Sequence, residues 1–344
     1  MWRNCIIILT IVFSVISCDR GRRADRLLEA ARCIEADTVK ISAILHINNI
    51  IKLEDYIVLQ NGSDGVDDFY FVYSIPELEF LYSFARRGRG PEESMMPSVI
   101  KNTPGNILGF RDHGNDKLVY YRVTDTSAEL VYRDIFRSPD NDRFFWELNR
   151  MGDSLYLVKH QGYKRGMTEL WSSASGRKDS IHNTFYTLPW KLGHDYYTVF
   201  DDYMISSSGN RFARSYFMID RIEFGEVKDG RICMVSSTGA ESAPRFHLYG
   251  DDTDTEFSID RNTIYYENMY ACRDNIYALY SGRRLDETEK RHSSIVEIYS
   301  WDGRLVEILS LEVPVAYIAV DEENRIIYGV NPELSDEYIL IYRY

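Results

Sequence analysis

The sequence predicts an all-β fold, a six-bladed β-propeller closed by an N-terminal strand, on three observations. Short strand-like runs recur in groups of about 40–50 residues, the spacing that propeller blades produce. The chain carries 26 Tyr and 16 Phe against only 9 Pro, a balance that favours aromatics packed on pleated surfaces. Its last group of strands is one short, while a strand-like stretch near the N-terminus lacks a group of its own. Pairing the two would remove an exposed edge.

Near the start of the chain the lone basic Arg3 precedes an apolar run of about a dozen residues, below the roughly 18–20 needed to span a hydrocarbon core. Val15-Ile16-Ser17-Cys18 follows and reads as a lipobox, with bulky Ile16 as its one departure. Residues 1–17 are therefore expected to be a lipoprotein signal peptide, and Cys18 the lipidated N-terminus of the mature chain. A transmembrane anchor or a buried strand is the alternative for this stretch. Residues 18–37 are expected to be a lipidated tether. Within it, Leu27, Leu28, Ala31 and Ile34 could form the stripe of a short helix over 24–34, or be incidental. If strand 38–44 closes the ring, that tether reaches at most roughly 65–70 Å from the lipid.

Residues 38–344 make the propeller. Strand 38–44, with Val39, Ile41 and Ala43 alternating with polar neighbours, is expected to pair with 338–344. The first group runs through 56–60, 69–73 and 79–84, separated by Asn61-Gly62-Ser63-Asp64-Gly65 and by 74–76. The second has 107–111, 118–123 and 128–135, and the third 154–159, 169–173 and 177–181. The fourth takes 203–206, 212–218, 221–227 and 231–236, broken at Ser208-Gly209-Asn210 and Asp229-Gly230. The fifth is the clearest, with 266–271, 275–280, 294–301 and 305–311 and a hairpin turn at Asp302-Gly303. The sixth holds 315–320, 325–330 and 338–344. The connection 239–264 is long and carries the acidic cluster Asp251-Asp252-Thr253-Asp254-Thr255-Glu256.

Three stretches carry a family resemblance. Gly88-Arg89-Gly90-Pro91-Glu92-Glu93, after an aromatic strand, resembles the GxGPxE-type turn of Bacteroidetes lipoproteins with six-bladed TolB-like or NHL-like propellers. Asn275-Ile276-Tyr277-Ala278-Leu279-Tyr280-Ser281-Gly282 with Glu297-Ile298-Tyr299-Ser300-Trp301-Asp302-Gly303 is similar to the penultimate blade of that family. Ile318-Ala319-Val320-Asp321-Glu322 with Ile327-Tyr328 is similar to its last. The resemblance implies a propeller lipoprotein of the cell envelope, at the outer membrane.

Chemistry is less legible. A formal net charge of −13 disfavours a polyanionic partner, and with it nucleic acid. Arg86, Arg87 and Arg89 are the sharpest charge contrast on this acidic chain, and their guanidinium forks suit a carboxylate or anionic sugar. The alternative is a solvated basic turn. The acidic cluster 251–256 lacks the ligand spacing of a calcium loop, and Asp64, Asp67 and Asp68 fit a hairpin turn, so no metal and no cofactor is expected. His46, His113, His160, His182, His194, His247 and His292 are scattered, with no HxxxH pair, no GxSxG elbow and no P-loop. Once Cys5 leaves and Cys18 is lipidated, Cys33, Cys233 and Cys272 remain. Buried free thiols are expected, with a Cys233–Cys272 disulfide as the alternative.

The function expected is therefore a lipid-anchored binding or interaction module of the bacterial cell envelope. Its partners are the membrane, through the N-terminal lipid, and a protein or glycan. The alternative is a propeller enzyme acting on carbohydrate or peptide, recognisable by two carboxylates about 5–10 Å apart in a cleft.

Overall fold

The apolar and alternating runs fold as strands in the computed structural model, which describes residues 21–41, 46–135, 144–161, 167–182, 203–241, 248–249, 256–257, 261–284, 286, 293–332 and 338–344. The chain opens with α1 (Gly21–Ala30), β1 (Arg32–Ile34) and β2 (Asp37–Lys40). A four-stranded meander follows, of β3 (Ile47–Lys52), β4 (Tyr56–Asn61), β5 (Asp68–Ser74) and β6 (Phe80–Arg86). Next come β7 (Pro97–Lys101), β8 (Ile107–Asp112), β9 (Lys117–Val123) and β10 (Ala128–Ile135), then β11 (Phe144–Arg150), β12 (Leu155–Gln161), β13 (Met167–Ser172) and β14 (Gly176–His182). These two meanders, expected as separate groups, are one eight-stranded sheet. Their first strands pair in parallel, Leu148 with Ile100 and Asn149 with Lys101.

β15 (Tyr203–Ser208), β16 (Arg211–Tyr216), β17 (Arg221–Lys228) and β18 (Arg231–Gly239) form a four-stranded sheet. Between β17 and β18, Asp229 and Gly230 both take positive φ, 51° and 71°, as a two-residue hairpin turn demands. A small ribbon of β19 (Leu248–Tyr249) and β20 (Glu256–Phe257) falls in the long connection, so only Glu256 of the acidic cluster 251–256 lies among the described residues. Then β21 (Thr263–Ala271), β22 (Asn275–Arg284), β23 (Ser293–Ser300) and β24 (Leu305–Val315) form a meander whose outer edge is extended by β1 in parallel. The last strands are β25 (Tyr317–Asp321), β26 (Ile326–Val330) and β27 (Tyr338–Arg343). Here β2 supplies the fourth strand, Asp37 opposite Ile341 through Lys40 opposite Tyr338, the pairing expected for 38–44. Residues 42–45 of that stretch lie outside the described residues.

The meanders surround a common axis. Their first strands lie against one another, β7 with β11, β11 with β15, β15 with β21, β21 with β25 and β25 with β3. The apolar faces pack in the same cyclic order: Val58 and Val72 meet Phe110 and Val119, Leu157 and Leu170 meet Ile205 and Phe212, and Ile339 and Ile341 of the last meander return to Ile57 and Leu59 of the first. The tyrosines do much of the filling, with Tyr70, Tyr73, Tyr216, Tyr266, Tyr277, Tyr280, Tyr299, Tyr328 and Tyr342 all fully buried. Their rings span the gap between twisted sheets where a smaller side chain would leave a void. This is an all-β propeller.

The N-terminal segment departs from a free tether. From Gly21 it is a helix, then a strand. The stripe Leu27, Leu28, Ala31, Ile34 is divided: Ala24 and Leu27 bury in the cluster holding Tyr266, Tyr280 and Tyr299, with Leu28 against it, while Ile34 pairs with Leu311. The helix stops at Ala30 because the edge of β24 offers the next residues ladder hydrogen bonds that a continued helix could not use. Among the described residues no helix is long and apolar enough to cross a membrane.

Candidate functional site

The three arginines do not form one cation cluster. Arg87 turns back onto the 61–67 turn, donating from Nε to Val66 O at 3.0 Å and from Nη2 to Asn61 O at 3.0 Å, with its guanidinium 3.9 Å above the Phe69 ring. Arg86 and Arg89 are exposed, and Arg86 stands 3.8 Å from Asp67. The glycines of this turn have a local reason. Glu93 accepts the Gly90 N–H at 2.8 Å, and its carboxylate fills the space a Cβ on Gly88 would need. The GxGPxE pattern is thus a self-capped turn, lying beside the 61–67 turn that Arg87 clamps.

At the axis, charge is matched. Glu147 on β11 stands 3.3 Å from Lys101 of β7 and 3.9 Å from Lys159 of β12, and accepts the Ile205 N–H at 3.1 Å. Burial alone would raise its pKa, but the two ammonium groups and the N–H outweigh it and hold the carboxyl below its ordinary value. Ser207 donates to Asn149 at 3.0 Å, and Lys52 pairs with Asp321 at 3.5 Å across the first and last meanders. These contacts staple neighbouring first strands together.

His113 has its Nε2 2.7 Å from Ser98 Oγ. The adjacent Asp112 is committed elsewhere, accepting the N–H groups of Met95, Met96 and Gly114 and the Asn115 amide. Burial, with Arg111 alongside, lowers the imidazole pKa from 6.5 to about 4 against the pull of Asp112. Between those values the unfolded chain takes up a proton that the folded one refuses. Stability present above pH 6.5 is therefore lost as the pH falls toward 4. Melting temperatures recorded across this range should flatten in His113→Gln relative to wild type; equal slopes would contradict the assignment.

A buried polar constellation lies elsewhere, between the β15–β18 sheet and the β21–β24 meander. Glu297 sits in the apolar run Ile295-Val296-Glu297-Ile298-Tyr299, and strand alternation puts it on the same face as Ile295 and Tyr299. Its side chain is fully buried. Tyr266 of β21 donates to Glu297 Oε2 at 3.1 Å and Tyr299 to the same oxygen at 2.8 Å. Asp220, entering β17, has Oδ1 3.5 Å from the Tyr266 hydroxyl. Arg23 of α1 enters from outside. Its Nη2 meets Glu297 Oε1 at 2.7 Å, its Nη1 pairs with Asp220, and its Cζ lies 4.6 Å from the Tyr280 ring centroid. Burial pushes the Glu297 pKa up, opposed by Arg23 and the two hydroxyls.

None of these residues was a sequence candidate. Arg23 stood in a basic run after the lipobox, and Glu297 in a strand. The available signal was a lone carboxylate inside a continuous apolar run, which marks a residue buried on both sides of its neighbours.

A second buried pair, Arg214 with Glu223, lies beside an open depression of about 540 Å³ lined also by Ile181, Arg221, Met234 and Val235. The cysteines of the described residues are unpaired thiols: Cys272 is buried, whereas Cys33 is exposed and Cys233 half-buried, so burial as expected holds for Cys272 alone. Cys33 is exposed because β1 lies on the outer edge of its sheet.

No family model and no curated protein matches the chain. Solved structures do. A putative exported protein from Bacteroides fragilis NCTC 9343 superposes with a TM-score of 0.53 at 12% identity, over 90% of this chain and 94% of that one. The β-propeller domain of Myceliophteria thermophila Cps50 (Swd1) superposes with a TM-score of 0.50 at 8% identity, over 90% of this chain and 99% of that one. At such identities the likeness is one of fold, and the fold that these comparisons and the cyclic packing of the meanders share is the β-propeller.

Proposed function

We propose that this chain is a lipid-anchored six-bladed β-propeller of the bacterial cell envelope, of the TolB-like or NHL-like lipoprotein type, that works as a binding or interaction module. The blade count takes each meander as one blade, including the two that share the eight-stranded sheet, with β2 completing the last. The observation that carries the reading is the position of α1. It docks on the propeller from residue 21, three residues after the lipobox cysteine, and Cys18 itself lies outside the described residues.

On this reading the tether is shorter than the full span of residues 18–37. Three extended residues span about 10 Å, so a lipid on Cys18 holds the body close to the bilayer surface. The outer membrane is the site the lipoprotein resemblance favours. A protein or glycan partner at the exposed loops, where Arg89 and, beside Asp67, Arg86 are exposed to solvent, suits a scaffold in which Glu147 and Lys52 are already paired.

Metabolic labelling with an alkyne fatty acid, followed by membrane fractionation, tests the anchor. Wild type should carry label and sediment with the outer membrane, and Cys18→Ala should lose the label. An unlabelled wild type would remove the tether from the reading. For the interaction role, cross-linking in intact cells should repeatedly recover the same partner; turnover of a carbohydrate or peptide substrate without any partner would favour the enzyme reading instead.

A further inference from the structure

We propose that the pocket of Asp220, Tyr266, Tyr280, Glu297 and Tyr299 is a guanidinium-binding site, closed in cis by Arg23 and opened to an arginine side chain of a partner protein when α1 lifts. The walls match that one ligand class. A carboxylate stands at each of two edges of the planar cation, Glu297 at 2.7 Å from Nη2 and Asp220 beside Nη1, and the Tyr280 ring lies against it at 4.6 Å. An ammonium is a point charge that cannot present two separate edges and a flat face together.

The pocket cannot stand empty at no cost. Glu297 has no solvent exposure, so losing the cation leaves a buried carboxylate held only by the Tyr266 and Tyr299 hydroxyls until a proton or another cation neutralises it. The affinity therefore belongs to the pocket, whichever chain brings the guanidinium. The present occupant is also the kind that exchanges. It comes from a ten-residue helix, too short to persist in water without its docking face, rather than from a strand of a sheet. Arg23 remains 27% exposed, which leaves its approach path open to solvent. Beyond the bend at Ala31, β1 is held independently by β24, so α1 can come away without breaking the sheet.

The test uses the detergent-solubilised full chain carrying Arg23→Ala, with methylguanidinium as the probe and methylammonium at equal ionic strength as the control. Methylguanidinium should raise the Tm of Arg23→Ala logarithmically with its concentration, by about 3 °C at about ten times its dissociation constant. Wild type and the double variant Arg23→Ala with Glu297→Gln should show no such rise, and methylammonium should give at most a fraction of it. A peptide of residues 19–31 should displace methylguanidinium, and its Arg23→Ala version should not. Equal responses in wild type, Arg23→Ala and the double variant would overturn the site. Failure of the arginine peptide to compete would overturn its opening to a partner. Should Arg23→Ala not fold, Arg23→Lys keeps a charge in place: it should still respond to methylguanidinium, and the absence of any response there would also overturn the proposal.

Discussion

Replacing Arg214 by alanine is expected to destabilise the folded chain by about 3–5 kcal/mol, because it strands a buried carboxylate. Arg214 and Glu223 are 1% and 2% exposed, and they pair directly across β16 and β17. Tyr216 donates to the same Glu223 oxygen at 2.9 Å, and Arg221 reaches the other at 3.0 Å. Arg214 also donates to Thr168 of β13 at 3.1 Å, so one side chain ties two neighbouring meanders. Arg221 remains in the variant and offsets part of the loss, which places the outcome toward the lower end of that range. Removing both charges at once, with Arg214→Met and Glu223→Gln, should recover more than half of the loss, since no buried charge is then left unpaired. Urea unfolding of the three proteins measures this. A single variant within about 1 kcal/mol of wild type would show that the pair is dispensable.

Removing β2 together with α1 and β1 is expected to cost clearly more than removing α1 and β1 alone. A chain lacking residues 18–35 keeps the pairing of Asp37–Lys40 with β27, whereas one lacking 18–41 exposes the edge of β27. The longer deletion also loses Ile41, 4% exposed, and Val39 from the cluster that joins Ile339 and Ile341 to Ile57 and Leu59. One buried and one half-buried aliphatic side chain contribute about 2–4 kcal/mol. At roughly 2–4 °C per kcal/mol, the longer deletion should melt about 10 °C below the shorter, and its bare edge should drive self-association. Differential scanning calorimetry with light scattering reads both effects. Melting points within about 2 °C of each other, with no association, would contradict a closing role for β2.

The strands legible in advance were those whose own residues carry the pattern. Tyr277 to Tyr280 is apolar throughout, and Ile295 to Tyr299 is apolar but for Glu297, because these runs bury on both faces. Among the strands that escaped notice, β3, β7 and β11 open their meanders, and β7 and β11 carry Lys101, Glu147 and Asn149 toward their neighbours. Polar residues that would count against a core strand are there the staples between neighbours. α1 was read only as one of two alternatives, because its apolar stripe is short and its continuation, Ile34, belongs to a strand.

The sequence by itself determined the strand alternation, the turns at Asp229-Gly230 and Asp302-Gly303, and the missing strand of the last group, because periodicity and positive-φ turns depend on near neighbours in the chain. Only the tertiary structure decided which charges meet. Arg23 finds Asp220 at a separation of 197 residues and Glu297 at 274. Contacts of that range arise when the meanders close around their axis and press buried faces together, and no local pattern encodes which polar groups then share one dry pocket.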